Sequence, residues 1–132
     1  FTEHFGVYAS PHFNLHNNIN LIAMQSSDTV YDSINWTHWL QQYPHPSLEG
    51  ADLRYFDSEQ GMIQAAISGY GLVLASNVLV SKSVEQGLLK ALFPQQTLPW
   101  HEYYHAIYRS GRERHLAVAT LLAWLDVQAL AY

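Results

Sequence analysis

Five consecutive residues, His101-Glu102-Tyr103-Tyr104-His105, match the pattern H-E-x-x-H. On a helix that spacing sets two imidazoles one turn apart on one face, where they bind zinc while the glutamate activates a water for hydrolysis. The surroundings point instead to a strand: Pro99 precedes the motif, Tyr103 and Tyr104 fill it, and Ile107 and Tyr108 follow. On a strand, residues four apart are about 13 Å distant and cannot share one ion. A third ligand would have to be Glu113 or Asp126, neither in a recognisable setting. A zinc metallopeptidase using His101, Glu102 and His105 is therefore the alternative reading, and no metal or other cofactor is expected. His4, His12, His16, His38, His45 and His115 are scattered, without ligand spacing. No G-x-S-x-G, P-loop or G-x-G-x-x-G is present, so catalysis is not expected.

A second group of polar residues falls where strands are expected to end: Ser10, the loop Gln25-Ser26-Ser27, and Asp57-Ser58-Glu59. In open α/β sheets ligands sit beyond the carboxyl ends of the strands, where helix N-termini present free N–H groups. Asp57 and Ser58 serve equally well as caps of their own helix, and residue type alone does not decide between the two roles.

The elements that must carry these residues are marked by periodicity. Phe5 to Ser10 reads as a strand stopped by Pro11, and Ile19 to Met24 as a second strand before a polar loop. Trp36, Trp39, Leu40 and Tyr43 recur at helical spacing after Asp32 and Ser33, which are expected N-caps, and Pro44 closes the pattern. The two tryptophans are expected in the core or at an interface. Leu53 to Phe56 reads as a strand, and Asp57 with Gln60 as a capping box. The helix it opens buries Met62, Ile63, Ala66 and Ile67 and ends at Gly69 and Gly71. Leu72 to Ala75 is apolar throughout, as in a strand covered on both faces, so the stretch forms a βαβ unit. A short helix is expected within residues 81–93 and a strand over Tyr103 to Tyr108. A final helix carries Leu116, Val118, Leu121, Leu122, Leu125 and Ala129. The alternation implies an α/β fold with a mostly parallel sheet flanked by helices.

Composition bounds the function. With 132 residues, 48% apolar and 13% charged, the chain can bury one ordinary core and is neither two independent domains nor a disordered segment. A net charge of -5 has the wrong sign for a phosphate-binding surface, and only Arg109, Arg112 and Arg114 cluster, so the chain alone is not expected to bind DNA. It has no cysteine, no apolar run long enough to span a bilayer and no charged leader, which suggests a cytoplasmic setting away from membranes. Because it begins at Phe1, it is expected to be a piece of something longer.

The block from Arg54 to Ala75, with Phe56-Asp57-Ser58, paired Ala65 and Ala66, then Gly69-Tyr70-Gly71 and an apolar strand, strongly resembles LysR-type transcriptional regulators, close to the glycine-cleavage-activator and β-lactamase-activator subgroup. The resemblance continues in order through Ser10-Pro11, Trp36-Thr37-His38-Trp39-Leu40, Gly87-Leu88-Leu89, Tyr103-Tyr104 and Trp124-Leu125. It implies a fold like one lobe of a type II periplasmic binding protein, in which two lobes close on a small molecule. Residues 1–100 would be the second lobe of the effector-binding region and 101–132 a strand and helix returning toward the first. The family's helix-turn-helix, linker helix and first half of the first lobe have no counterpart here, so DNA would be reached only through a head outside this sequence. Implied partners are a small-molecule effector and further copies of the chain. Cleft-facing positions carried over are Gln25, Ser26, Ser58 or Glu59, and Tyr104 or its neighbour Tyr103. Where the β-lactamase-activator pattern reads F-D-S-S, this chain has Glu59 at the last place, and an acid there disfavours the same anionic effector. A solute-binding fragment unrelated to transcription is a further alternative.

Overall fold

The run Leu72-Val73-Leu74-Ala75 forms the middle of a six-stranded sheet, as β4 (Leu72–Ser76), and each of its residues is buried. The computed structural model describes residues 2–25 and 33–131. On one side of β4 lies β2 (Asn20–Met24), parallel to it with Leu21 opposite Leu72 and Ile22 opposite Val73. Beyond β2 lies β3 (Asp52–Phe56), also parallel, in register from Asn20 with Asp52 to Met24 with Phe56. On the other side β1 (His4–Ala9) runs antiparallel to β4, Phe5 facing Ser76 and Tyr8 facing Val73. Two short strands, β5 (Lys90–Ala91) and β6 (Leu98–Pro99), pair antiparallel with β1. Pro99, which has no N–H to donate, is tolerated because β6 is peripheral.

The α/β fold expected from the alternation is observed, but the sheet is mixed: among the described strands β3, β2 and β4 are mutually parallel and β1 runs against β4. Strand direction is set by the connections, and an apolar strand such as β1 reads the same either way.

Three helices flank these strands: α1 (Trp36–Gln42), α2 (Glu59–Ile67) and α3 (Asn77–Glu85). Tyr8, Ile22, Val73 and Ala75 form one core cluster with Met62 and Ala66 of α2, Val80 of α3, and Leu89. Side chains alternate along a strand, so Leu21, Leu72 and Leu74 point to the opposite face. The indole N–H of buried Trp36 donates to the Ile22 carbonyl at 2.8 Å, fixing α1 to β2. Trp39, fully buried, donates to the Gln96 carbonyl at 2.9 Å, and its ring stacks on His45 with centroids 5.3 Å apart. Tyr43 adds a bond from its hydroxyl to the Thr97 carbonyl, 3.1 Å. Both tryptophans are thus core residues, and truncating either to alanine would cost about 3–5 kcal/mol.

The cap of α1 is Asn35, whose Oδ1 accepts from the His38 N–H at 2.7 Å. Of the two caps expected, Ser33 lies upstream of it and Asp32 lies outside the described residues. Asparagine caps as well as serine or aspartate, so a run of such residues leaves the first turn ambiguous by a few positions. Helix α2 ends as anticipated. The N–H of Gly69 bonds to Ala66 O and that of Tyr70 to Ala65 O, with Gly69 at φ +84°, a Schellman motif. The chain then crosses over β2 to enter β4, so the βαβ unit spans an intervening strand. Helix α3 starts at Asn77, before the expected 81–93 window. Its cap, Ser76, is also the last residue of β4: the Oγ accepts from Val78 N–H at 3.1 Å. Strand and helix abut without a loop, which hid the boundary.

Residues His4–Pro99 make one compact unit; the other consists of Thr2 and Glu3 with the described residues from Trp100 onward. In the latter, residues 100–109 have no regular structure, so the strand expected over Tyr103 to Tyr108 does not form. Among the described residues of that unit there is no other strand to pair its N–H and C=O groups, and β-propensity without a partner makes no ladder. A turn containing Gly111 at φ +85° leads into α4 (Leu116–Leu130), which is apolar on every side and has no buried residue. Among the described residues no helix is long and apolar enough to cross a membrane.

Candidate functional site

Three parallel strands end together, and the polar residues singled out from the sequence divide according to strand direction. The N–H of Gln25 donates to the Phe56 carbonyl at 2.7 Å, which ties the exit of β2 to the exit of β3. Asp57, Ser58 and Glu59 follow at once, so Gln25 and these three residues gather at one edge of the sheet. The helix cap is Ser58 rather than Asp57: its Oγ accepts from the Gly61 N–H at 3.1 Å. Accepting that bond leaves the serine O–H free to donate in another direction, so one side chain can cap α2 and still offer a donor. Gln25, Asp57 and Ser58 are exposed and Glu59 is half-buried. Ser26 lies outside the described residues.

Ser10 is not part of this edge. Because β1 runs against β4, its carboxyl end lies beside the amino ends of the parallel strands, where the Ser10 carbonyl accepts from Phe13 N–H in a turn, 3.0 Å. The expectation that all strand exits share one side assumed that β1 was parallel. Tyr104 belongs to the other unit, where it is exposed in an irregular segment. His101, Glu102 and His105 occupy the same segment, so they lack the one-turn helical spacing that an H-E-x-x-H zinc site requires. Among the described residues no cluster of three or more His, Asp or Glu is placed to hold a metal ion.

A cavity of about 260 Å³ lies within the His4–Pro99 unit and reaches the strand exits. Met24, Glu59 and Ser76 line it at those exits, and Trp36, Tyr55 and Met62 line it as well. The lining is mostly hydrocarbon and aromatic, and Glu59 supplies a carboxylate. Sequence reasoning singled out Glu59 but missed Asn35, Thr37 and Ser76, which also line the space. Asn35 and Ser76 could have been found as N-caps, since each is a capping residue type directly before a helix. Thr37, in the first turn of α1, carries no such signal.

A family model described as the LysR substrate binding domain matches residues 1–129. A search of curated proteins finds no match. Among solved structures, the effector domain of the transcriptional regulator AmpR of Pseudomonas aeruginosa superposes with a TM-score of 0.70 at 19% identity, over 99% of this chain and 63% of that one. The regulatory domain of CrgA, a LysR-type transcriptional regulator from Neisseria meningitidis, gives 0.63 at 19% identity, over 97% and 65%. The AmpR effector-binding domain from Citrobacter freundii gives 0.62 at 18% identity, over 98% and 64%. The chain therefore spans just under two thirds of the length of these domains, and at such identities the likeness establishes the α/β, type II periplasmic-binding-protein-like fold. Matched over nearly its whole length, the chain belongs to the LysR substrate-binding domain family.

Proposed function

We propose that this chain is the effector-binding part of a LysR-type transcriptional regulator, and that it senses a small molecule at the exits of β2, β3 and β4. The observation that carries the reading is the family match over residues 1–129, and the gathering of Gln25, Asp57, Ser58 and Glu59 at one sheet edge supports it. The resemblance also carries over Ser26 and Tyr104 as contacts, and the F-D-S block resembles that of the glycine-cleavage-activator and β-lactamase-activator subgroup. The role is binding rather than catalysis. DNA is contacted through a helix-turn-helix outside this sequence, in the cytoplasm, by an oligomer whose arrangement the ligand shifts.

A ligand that binds only the folded protein raises its melting temperature. Thermal denaturation of the full-length regulator against a panel of small metabolites is expected to show a concentration-dependent rise for one of them. Tyr104→Phe should reduce that rise with little change in the unliganded melt, since the side chain is exposed. A panel without effect, on protein that still binds its operator, would overturn the sensing role.

A further inference from the structure

The sheet ends at β3 on one side: among the described residues no strand lies beyond it. Phe56 turns its carbonyl toward β2, where it receives the Gln25 N–H at 2.7 Å. Along a strand the N–H and C=O of one residue point the same way and those of the next point the opposite way. Asp52 and Arg54 therefore also bond toward β2, while Leu53 and Tyr55 turn their backbone groups outward. A trans peptide sets the Ala51 carbonyl opposite the Asp52 N–H, hence outward too, whereas the Ala51 N–H is bonded to Leu48 O at 3.2 Å. Side chains along this edge are exposed as well, Leu53 at 43% and Tyr55 at 60% on one face, with Asp52 and Arg54 on the other. A row of outward N–H and C=O groups is a template for one more strand.

Charges on an edge strand commonly keep it from pairing. Here they favour pairing in one register. Asp52 and Arg54 differ in sign, stand two residues apart on the same face and form an ion pair at 3.2 Å, with 71% and 49% of their side chains exposed. An antiparallel second copy of β3 centred on Leu53 sets Asp52 of each chain opposite Arg54 of the other, and the same two-fold axis sets Leu53 opposite Leu53. Sliding the pairing by two residues puts Asp52 against Asp52 or Arg54 against Arg54, and a slide of one puts outward backbone groups against inward ones. Parallel alignment in register again sets like charges side by side. The register centred on Leu53 satisfies backbone and charge together.

We infer that β3 is a homotypic docking edge whose partner is a second copy of this chain, paired antiparallel about Leu53. Hydrogen bonds join the copies from the Leu53 N–H of each to the Leu53 carbonyl of the other, and from the Tyr55 N–H of each to the other's Ala51 carbonyl. The cross-chain Asp52–Arg54 pairs and the Leu53 pair add to them, with Tyr55 diagonal to the other copy's Leu53. So short an edge makes a weak contact, which covalent trapping reads better than mass. The inference goes beyond the sensing reading and does not depend on it, because no cavity ligand enters it.

The sequence has no cysteine, so a single introduced one reports alone. Opposed residues of a hydrogen-bonded antiparallel pair have Cα atoms about 5.5 Å apart, within disulfide reach. The two copies' Tyr55 residues are offset along the strands by about 14 Å, out of reach. In an equilibrating glutathione buffer, Leu53→Cys in the 132-residue chain should form about tenfold more disulfide dimer than Tyr55→Cys, although Tyr55 is the more exposed. Adding Arg54→Asp to Leu53→Cys should lower the dimer yield about tenfold, and adding Asp52→Arg as well should restore it, which a misfolded variant would not do. A mixture of Asp52→Cys and Arg54→Cys chains should join to each other in preference to themselves, a check that leaves Leu53 intact. Equal trapping of Leu53→Cys and Tyr55→Cys overturns the inference, as does absence of trapping at Leu53 and in the mixture, or a loss on Arg54→Asp that Asp52→Arg leaves unrestored. None of these outcomes touches the metabolite panel, which decides the sensing role separately.

Discussion

Replacing Gly71 with alanine should damage the fold out of proportion to the single methyl added. An ideal Cβ at Gly71 would lie 2.3 Å from the Asn20 carbonyl oxygen and 3.0 Å from both the Asn20 carbonyl carbon and its Cβ. Ordinary carbon–oxygen contact is about 1 Å longer, and the obstacle is backbone, so no rotamer change relieves it. The start of β4 must therefore move away from β2, at the point where Leu72 pairs with Leu21. The Asn20 side chain would be disturbed as well, since its Nδ2 donates to Tyr70 O at 3.1 Å and its Oδ1 accepts from Arg54 Nε at 3.2 Å. Overpacking of this kind costs about 1–3 kcal/mol, or more where the neighbour is rigid, against which the restricted unfolded chain returns about 0.4–1 kcal/mol. The net loss is about 2 kcal/mol, or about 6–10 °C in melting temperature for a chain of this size. Gly6 supplies the control. Its Cβ would meet only Thr97 and Tyr8 side-chain atoms at 3.5 to 3.6 Å, so Gly6→Ala should be neutral or slightly stabilising. Urea denaturation of both variants followed by circular dichroism measures the difference. If Gly71→Ala proves as stable as Gly6→Ala, the close approach of β2 and β4 is wrong.

Asn35→Ala removes the side-chain cap bond to His38 N–H in a seven-residue helix and should lower unfolding free energy by about 1 kcal/mol, whereas Asn35→Asp should restore most of it in the same urea assay. Ser58→Ala should cost about 1 kcal/mol without ligand, through the lost bond from Gly61, and should also reduce the ligand-induced rise in melting temperature. Burial raises the Tyr8 phenol above its usual 10.0, so its contribution to stability is complete below pH 10 and is lost as pH climbs from there toward the folded value. Tyr8→Phe should flatten that alkaline decline in pH-dependent denaturation. Helix α4 presents Leu121, Trp124 and Leu125 without burying any of them, so sedimentation of the isolated chain should shift with concentration, and Leu121→Glu with Trp124→Glu should suppress the shift.

The elements with a strong local signature were legible in the sequence. Leu72 to Ala75 reads as a fully buried strand and is one, and Trp36, Trp39 and Tyr43 share a helix face because tryptophan and tyrosine at that spacing need both cover and a hydrogen-bond partner. Gly69 and Gly71 were recognised together as a helix ending, yet they act differently. Gly69 supplies the left-handed turn, while Gly71 permits a backbone contact that no local pattern reveals. What escaped was non-local. The direction of β1 depends on which neighbour it pairs with, and assuming it parallel placed Ser10 at the wrong edge. Tyr103 to Tyr108 has strand-forming residues but no partner strand among the described residues of its own unit. Half of the candidate site was visible as polar residues after apolar runs. The cavity wall was not, because Trp36, Tyr55 and Met62 look like any other core residues until the fold leaves space between them.

The most direct measurement of the central claim is the affinity of the full-length regulator for its operator, with and without the metabolite that stabilises it. If this domain senses that molecule on behalf of DNA binding, saturating metabolite should change operator affinity or footprint, with a coupling of about 5- to 150-fold. DNA should change metabolite affinity by the same factor, since the linkage is reciprocal. A metabolite that binds the domain tightly yet leaves operator affinity and footprint unaltered would contradict the account.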